Sequence, residues 1–142
     1  MRYLHSSVVV SLLLQEATTG AVHRLLQGLV DVELAISDWG RLEVLSVLAQ
    51  GFRTGALTGV DKRELFGRLE VLIRSSLSVL VPSAADYGEA QRFVRTPEAA
   101  LRGGDALHLA IAANHGADAI YTLDKGMLKA GRLLGLPVER GF

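Results

Sequence analysis

The feature that most constrains this chain is an alternation of very short apolar segments with longer stretches of helical periodicity. Residues 2–4 read as a strand ending at His5, and Ser6 or Ser7 is placed to cap a following helix. After a break at Thr18-Thr19-Gly20, the residues Ala21, Leu25, Leu26 and Leu29 recur at helical spacing to about Val30. Glu33 to Ile36 predicts a strand, and Ser37-Asp38 opens a helix with an acid in its first turn. Trp39, Leu42, Leu45, Leu48 and Ala49 are expected to form that helix's buried stripe. Further helices are expected over Asp61 to Ser76, Ala84 to Val94, from Asp105 after a Gly103-Gly104 hinge, and over Lys125 to Leu134. Strands are expected over Ser78 to Val81 and Ala119 to Thr122, with an edge strand at Pro137-Val138. Such alternation predicts an α/β fold, a short parallel sheet with helices on both faces, in one domain over residues 1–142.

Composition narrows what this sheet can carry. Apolar residues make up 49% and charged residues 21% of 142, the balance of an ordered domain with a real core. Fifteen basic residues offset fifteen acidic ones, which argues against coating nucleic acid or an anionic membrane by bulk charge. With no cysteine, disulfides, thiolate metal sites and cysteine nucleophiles are excluded. The longest apolar runs, Val8-Val9-Val10 and Leu12-Leu13-Leu14, fall far below the roughly 18 residues of a membrane span. The polar residues around them and the missing small-residue cleavage site predict mature, cytoplasmic sequence rather than a secretory leader.

In open parallel sheets, chemistry collects at the carboxyl ends of the strands, here His5 to Ser7, Ser37-Asp38 and Thr122 to Asp124. Glu43 lies one turn beyond Trp39 on a helix expected to be largely buried, so its carboxylate must protonate, pair with a cation such as Arg41, or bind a metal. Asp105 and Asp124 each open a helix, where an acid also serves as an ordinary cap. Taken together, the three carboxylates are what a hard divalent cation requires. Such an ion can generate hydroxide, orient a phosphate and stabilise the leaving oxygen during phosphodiester hydrolysis. The chain has no phosphate loop, dinucleotide-binding glycine motif, nucleophile elbow or His-Glu-x-x-His zinc signature.

Four ordered stretches carry a family resemblance: Tyr3-Leu4-His5-Ser6-Ser7-Val8-Val9-Val10, Ile36-Ser37-Asp38 with Leu42-Glu43-Val44-Leu45-Ser46, Asp105-Ala106-Leu107-His108-Leu109-Ala110, and Tyr121-Thr122-Leu123-Asp124. In this order and spacing, over essentially the whole chain, they resemble a PIN domain of the VapC type, the ribonuclease toxin of bacterial toxin–antitoxin pairs. The resemblance implies an endoribonuclease dependent on Mg2+ or Mn2+, a homodimer, and a partner antitoxin that silences it. Glu43, Asp105 and Asp124 match the family's metal-site acids, Ser7 and Thr122 its supporting hydroxyls, and His108 a common residue of the Asp-Ala-Leu-His stretch, read here mainly as packing. The chain departs from the pattern at His5, where the family has an aspartate that belongs to the metal site. Imidazole suits manganese, iron or zinc better than magnesium. A weakened or metal-switched enzyme, a non-catalytic module that binds RNA or a protein partner, and an inactivating change in the cloned gene each accommodate this histidine.

Arginine supplies most of the basic residues, and its fork suits bidentate phosphate binding. Lys125, Lys129 and Arg132 share one face of the helix after Asp124, which is either an ordinary solvated side or a guide for RNA phosphates toward the acids. At 6% aromatic residues, a base-stacking platform is not expected. From the resemblance, an antitoxin segment is expected to fill the acidic cleft with arginine or lysine and to cover apolar surface near Leu48 to Phe52. A small-molecule hydrolase on the same sheet lacks a recognisable nucleophile.

Overall fold

A computed structural model describes Met1–Phe142 in full. Five strands form one sheet: β1 (Arg2–Leu4), β2 (Leu34–Ser37), β3 (Ser78–Leu80), β4 (Ala119–Tyr121) and β5 (Val138–Glu139). Their spatial order is β3-β2-β1-β4-β5, and every neighbouring pair is parallel. The helices are α1 (Ser6–Leu13), α2 (Thr19–Gln27), α3 (Asp38–Thr54), α4 (Lys62–Ser76), α5 (Ala84–Val94), α6 (Gly103–Asn114) and α7 (Lys125–Leu133), with a single 3-10 turn at Pro97–Ala99. The α/β class expected from the alternation is the observed one, and its helices do cover both faces.

The strands are short because each needs only a few residues to feed both layers. Adjacent side chains of a strand point to opposite faces. Leu4 joins Ile36, Val8, Val44, Leu48, Leu65 and their neighbours in one apolar cluster, built largely from α1 to α4. Tyr3 and Ile120 face the other way, into a cluster with α5, α6 and α7 that includes Phe93, Leu109 and Met127. Both faces are therefore dry, as a parallel sheet requires. No helix is long and apolar enough to cross a membrane.

Several local expectations shift. The first helix is capped by His5 rather than by Ser6 or Ser7, the His5 ring accepting from the backbone N–H of Ser7. Gly103-Gly104 is the first turn of α6 and not a hinge before it, so Asp105 is the third residue of the helix and does not cap it. On α3 the buried line runs through Gly40, Val44 and Leu48, whereas Leu42 is 57% exposed. Leu42 lies two residues beyond Gly40, about 200° round the helix, so both cannot face inward. The inward face is fixed by Gly40: a Cβ there would stand 2.9 Å from Ile36 Cγ1 and 3.0 Å from His108 Cε1. In the stretch from Leu48 to Phe52, Leu48 is fully buried and Phe52 is partly buried beside Phe66, while Ala49 and the neighbouring Val47 are exposed.

This topology decides where a site can form. The chain builds β1, moves outward to β2 and β3, then returns to lay β4 on the other side of β1. Strand order reverses between β1 and β4, and the crevice beyond their carboxyl ends is where such sheets bind ligands. His5 follows β1 and Thr122 follows β4, and the His5 backbone N–H donates to the Tyr121 carbonyl across that gap at 3.0 Å.

Candidate metal centre

Three elements bring side chains to this crevice. At the start of α1, Ser6 Oγ donates to Glu43 Oε2 at 2.8 Å. From α6, His108 Nε2 donates to the same oxygen at 2.6 Å. Glu43 is thus held by a hydroxyl and an imidazole and not by Arg41, whose guanidinium reaches both oxygens of Glu70 at 2.8 Å. Burial opposes ionisation of Glu43, but the hydrogen bonds from His108 and the Ser6 hydroxyl outweigh it and hold the carboxyl below its ordinary range.

His108 is fully buried, which is the packing part of its expected role, yet its polar atoms are both engaged at the site. Its Nδ1 lies 2.7 Å from Tyr3 Oη, and Tyr3 Oη lies 2.7 Å from Ser37 Oγ, which accepts from Gly40 N–H at 3.0 Å. With Nε2 donating to Glu43, Nδ1 accepts the tyrosine proton and Ser37 donates to Tyr3 Oη. Burial pushes the Tyr3 hydroxyl far above its ordinary range, so the phenol stays a neutral link. The mainly structural reading of His108 is therefore incomplete. Its signal was the three-residue interval from Asp105, which puts both side chains on one helix face.

His5 is also buried, and its ring meets that of His108 edge to face, with centroids 4.4 Å apart. Its Nδ1 lies 2.8 Å from Ser7 Oγ and 3.1 Å from Thr122 Oγ1. Burial first, and the neighbouring His108 second, lower its pKa to about 3, so this imidazole is neutral at physiological pH. The two hydroxyls expected as supports do bind the surrounding loop. Ser7 Oγ accepts from Leu123 N–H at 3.0 Å, and Thr122 Oγ1 accepts from Asp124 N–H at 3.1 Å.

Asp105 and Asp124 lie on two adjoining recesses beside these residues. The Asp105 carboxylate makes no hydrogen bond or ion pair with the protein, and it lines a recess of about 250 Å³ together with His5, Ser6, Glu43 and Ser46. Burial, then the charges of Asp124 and Glu43, raise its pKa. Asp124 lines an adjoining recess that shares His5 and Ser6, and its Oδ1 caps α7 by accepting from Met127 N–H at 2.7 Å. Gly104 lets α6 approach α3 closely: a Cβ there would lie 3.2 Å from Glu43 Oε1 and 3.1 Å from Trp39 Cζ2. Lys125, Lys129 and Arg132 are exposed on α7 without ion pairs, and none of them lines either recess. Donor atoms of His5, Glu43 and His108 all fall within 4.8 Å of one another, a grouping that can hold a metal ion.

Comparison with known proteins agrees with this architecture. The family model described as PIN domain matches residues 2–133. No curated protein sequence is significantly similar to the chain. Among solved structures, it is similar to VapC20 of Mycobacterium tuberculosis, a sarcin–ricin loop cleaving toxin. That likeness has a TM-score of 0.74 at 19% identity and covers 92% of this chain and 95% of that one. It is also similar to VapBC2 from Rickettsia felis, solved with a DNA fragment from their promoter, at TM-score 0.71 and 17% identity over 98% of both chains. VapBC-1 from nontypeable Haemophilus influenzae gives TM-score 0.67 and 16% identity, over 99% of this chain and 98% of that one. At these identities the likeness is one of fold.

Proposed function

Because this chain belongs to the PIN-domain family, we propose that it is a divalent-metal-dependent endoribonuclease, the toxin of a type II toxin–antitoxin pair. What supports this reading is that carboxylates from α3, α6 and the loop after β4 line two adjoining recesses that share His5 and Ser6. The raised pKa of Asp105, attributed after burial to Asp124 and Glu43, reports that crowding. Of the three, Asp105 alone has no protein partner, and an uncompensated acid at a strand-end crevice is suited to a cation.

Glu43, Asp105 and Asp124 supply hard oxygen donors that fit magnesium or manganese. The imidazoles of His5 and His108 beside them fit manganese better than magnesium. A bound divalent ion supplies Lewis-acid polarisation of a phosphoryl oxygen and activation of water. Around it, Ser6 and His108 fix the orientation of Glu43. Ser7 and Thr122 tie the segment bearing Asp124 to the end of β1. Lys125, Lys129 and Arg132 steer RNA phosphates from α7. Val47, exposed and lining both recesses, gives the crevice an apolar lip against which an antitoxin segment seats while its basic side chain enters the cleft. The protein acts in the cytoplasm as a homodimer, and sedimentation that finds only monomer at micromolar concentration counts against the dimer.

A second reading has its own observation. His5 puts a neutral, buried ring where the family has a carboxylate, which removes a negative charge from the site. A PIN module that binds RNA or a protein partner without cutting would tolerate that loss. The deciding experiment compares this chain with His5→Asp on a structured RNA, with magnesium, manganese or chelator. Metal-dependent cleavage by either protein, abolished by Glu43→Gln, supports the nuclease reading. RNA that stays intact with both, despite tight binding, favours the binding module.

A further inference from the structure

We infer that His5, Glu43 and His108 form a mixed nitrogen–oxygen site for a zinc-class ion, so that this chain's centre selects zinc or cobalt over magnesium. The inference deepens the preceding reading, since it rests on the crevice holding a divalent ion and names the class of that ion.

The first ground is the donor set. Two imidazoles and one carboxylate, with donor atoms mutually within 4.8 Å, provide three protein ligands of the kind that a tetrahedral zinc centre takes, leaving a fourth position for solvent. Magnesium prefers six oxygens and keeps its water, and gains little from neutral nitrogen. Along the first-row series, affinity for such sites rises from manganese through cobalt and nickel to copper and falls back at zinc, all of them better suited to imidazole than magnesium is.

The second ground is the orientation of each ligand by a partner behind it. When Nε2 of His108 gives up its proton to bind an ion, Nδ1–H donates to Tyr3 Oη, and that hydroxyl donates in turn to Ser37 Oγ. For His5, binding an ion through Nε2 requires the other tautomer, in which Nδ1–H donates to Ser7 Oγ at 2.8 Å in place of accepting from Ser7 N–H. Only Ser6 Oγ, at 3.4 Å, lies near that nitrogen. Ser6 also anchors the shared Glu43 oxygen. Imidazole ligands backed by hydroxyl and backbone partners are the common outer-shell pattern of metal sites.

The third ground is access and charge. The recess of about 250 Å³ reaches His5 and Glu43 from solvent beside Asp105, whose carboxylate has no protein partner. That acid attracts a cation and can turn toward it. Without an ion, the same three groups form a hydrogen-bonded trio, and this is the outcome against which the site is tested.

The experiment titrates metal-stripped full-length protein calorimetrically with Zn2+ and with Mg2+, each alone, and follows Co2+ binding by visible absorption. The expected result is one zinc equivalent with a tetrahedral cobalt spectrum, and magnesium that binds weakly. His5→Ala should lower zinc affinity by more than the roughly 10–100-fold that loss of an outer-shell partner costs, and Tyr3→Phe should fall within that range. His5→Asp, which keeps a good helix cap, should lower the zinc-to-magnesium affinity ratio at least about 10-fold and abolish the tetrahedral cobalt bands. Zinc binding that is indifferent to His5→Ala and Glu43→Gln overturns the inference. Magnesium binding tighter than zinc overturns it too, while the divalent-ion reading stands. Failure of every ion to bind overturns both.

Discussion

Asp86 and Asp105 occupy the same place in two successive helices, the third residue of α5 and of α6, and their carboxylates are driven in opposite directions. Asp86 closes a capping box: Ser83 N–H and Ser83 Oγ donate to its Oδ2 at 2.7 and 2.9 Å, and Asn114 donates to Oδ1 at 2.8 Å. Burial alone would raise its pKa, but these donors, led by the Ser83 backbone, hold it below the usual range. Asp105 follows Arg102-Gly103-Gly104, and Arg102 has no side-chain acceptor to cap α6. No box can close, so the Asp105 carboxylate is left facing two other acids and its pKa rises. One helix has satisfied its acid, and the other has left an acid free for a cation.

The largest effect expected from breaking this contrast is on activity. Asp105→Ala should lower RNA cleavage at least about 100-fold, the equivalent of nearly 3 kcal/mol, while the urea midpoint does not fall below that of the wild type. A matching loss of stability would place Asp105 with Asp86 as a structural acid. Asp86→Ala should do the reverse. Leaving Ser83 and Asn114 without an acceptor should cost about 2–3 kcal/mol in urea unfolding, with cleavage by the remaining folded protein unchanged.

A smaller change converts one helix into the other. Arg102→Ser supplies α6 with the missing cap, which should add about 1 kcal/mol of stability. If Asp105 then closes a box, divalent-ion affinity measured by calorimetry should drop; unchanged affinity would show that the carboxylate prefers the recess.

The smallest effect is the pH dependence. Asp86 has a lowered folded pKa, so its contribution is present above the unfolded value of about 3.9 and is lost as pH falls through the folded value. Asp105 has a raised folded pKa, so its ionisation weakens the metal-free fold as pH climbs from about 3.9 through the folded value. Asp105→Asn should therefore raise the urea midpoint at pH 7 and leave it unchanged at pH 3. Asp86→Asn should lower the midpoint at pH 7 and have a smaller effect at pH 3.

The same contrast shows how far the amino-acid order can be read. Helix α5 was legible to its ends because Ser83 and Asp86 mark its start by a local interaction. For α6, Gly103-Gly104 reads as a hinge and predicts a helix starting two residues late, at Asp105, since two glycines are helical only where tertiary packing holds them so. Glu43 was noticeable as a carboxylate among apolar residues, but its partners Ser6 and His108 come from 37 residues before it and 65 after it. Local spacing offered Arg41 instead. The Tyr3–Ser37 link exists because β1 and β2 run side by side, with Tyr3 opposite Ala35, a register that neither strand's composition specifies. On α3, Leu48 is buried and Trp39 and Leu45 pack on the core as the periodicity predicts, whereas Leu42 and Ala49 are exposed because a glycine, Gly40, marks the line of closest approach.

The return of the chain to the far side of β1 has a consequence for synthesis. The contact between His5 and Thr122 spans 117 positions, and β4 is the strand that covers the second edge of β1. A ribosome that has made the first hundred residues has made Glu43 but neither Asp105 nor Asp124, and β1 is still open along one side. The crevice is therefore assembled late, and a truncated translation product carries no finished centre. For a chain proposed to cut RNA, the order of synthesis itself delays the hazard until nearly all of the protein has been made.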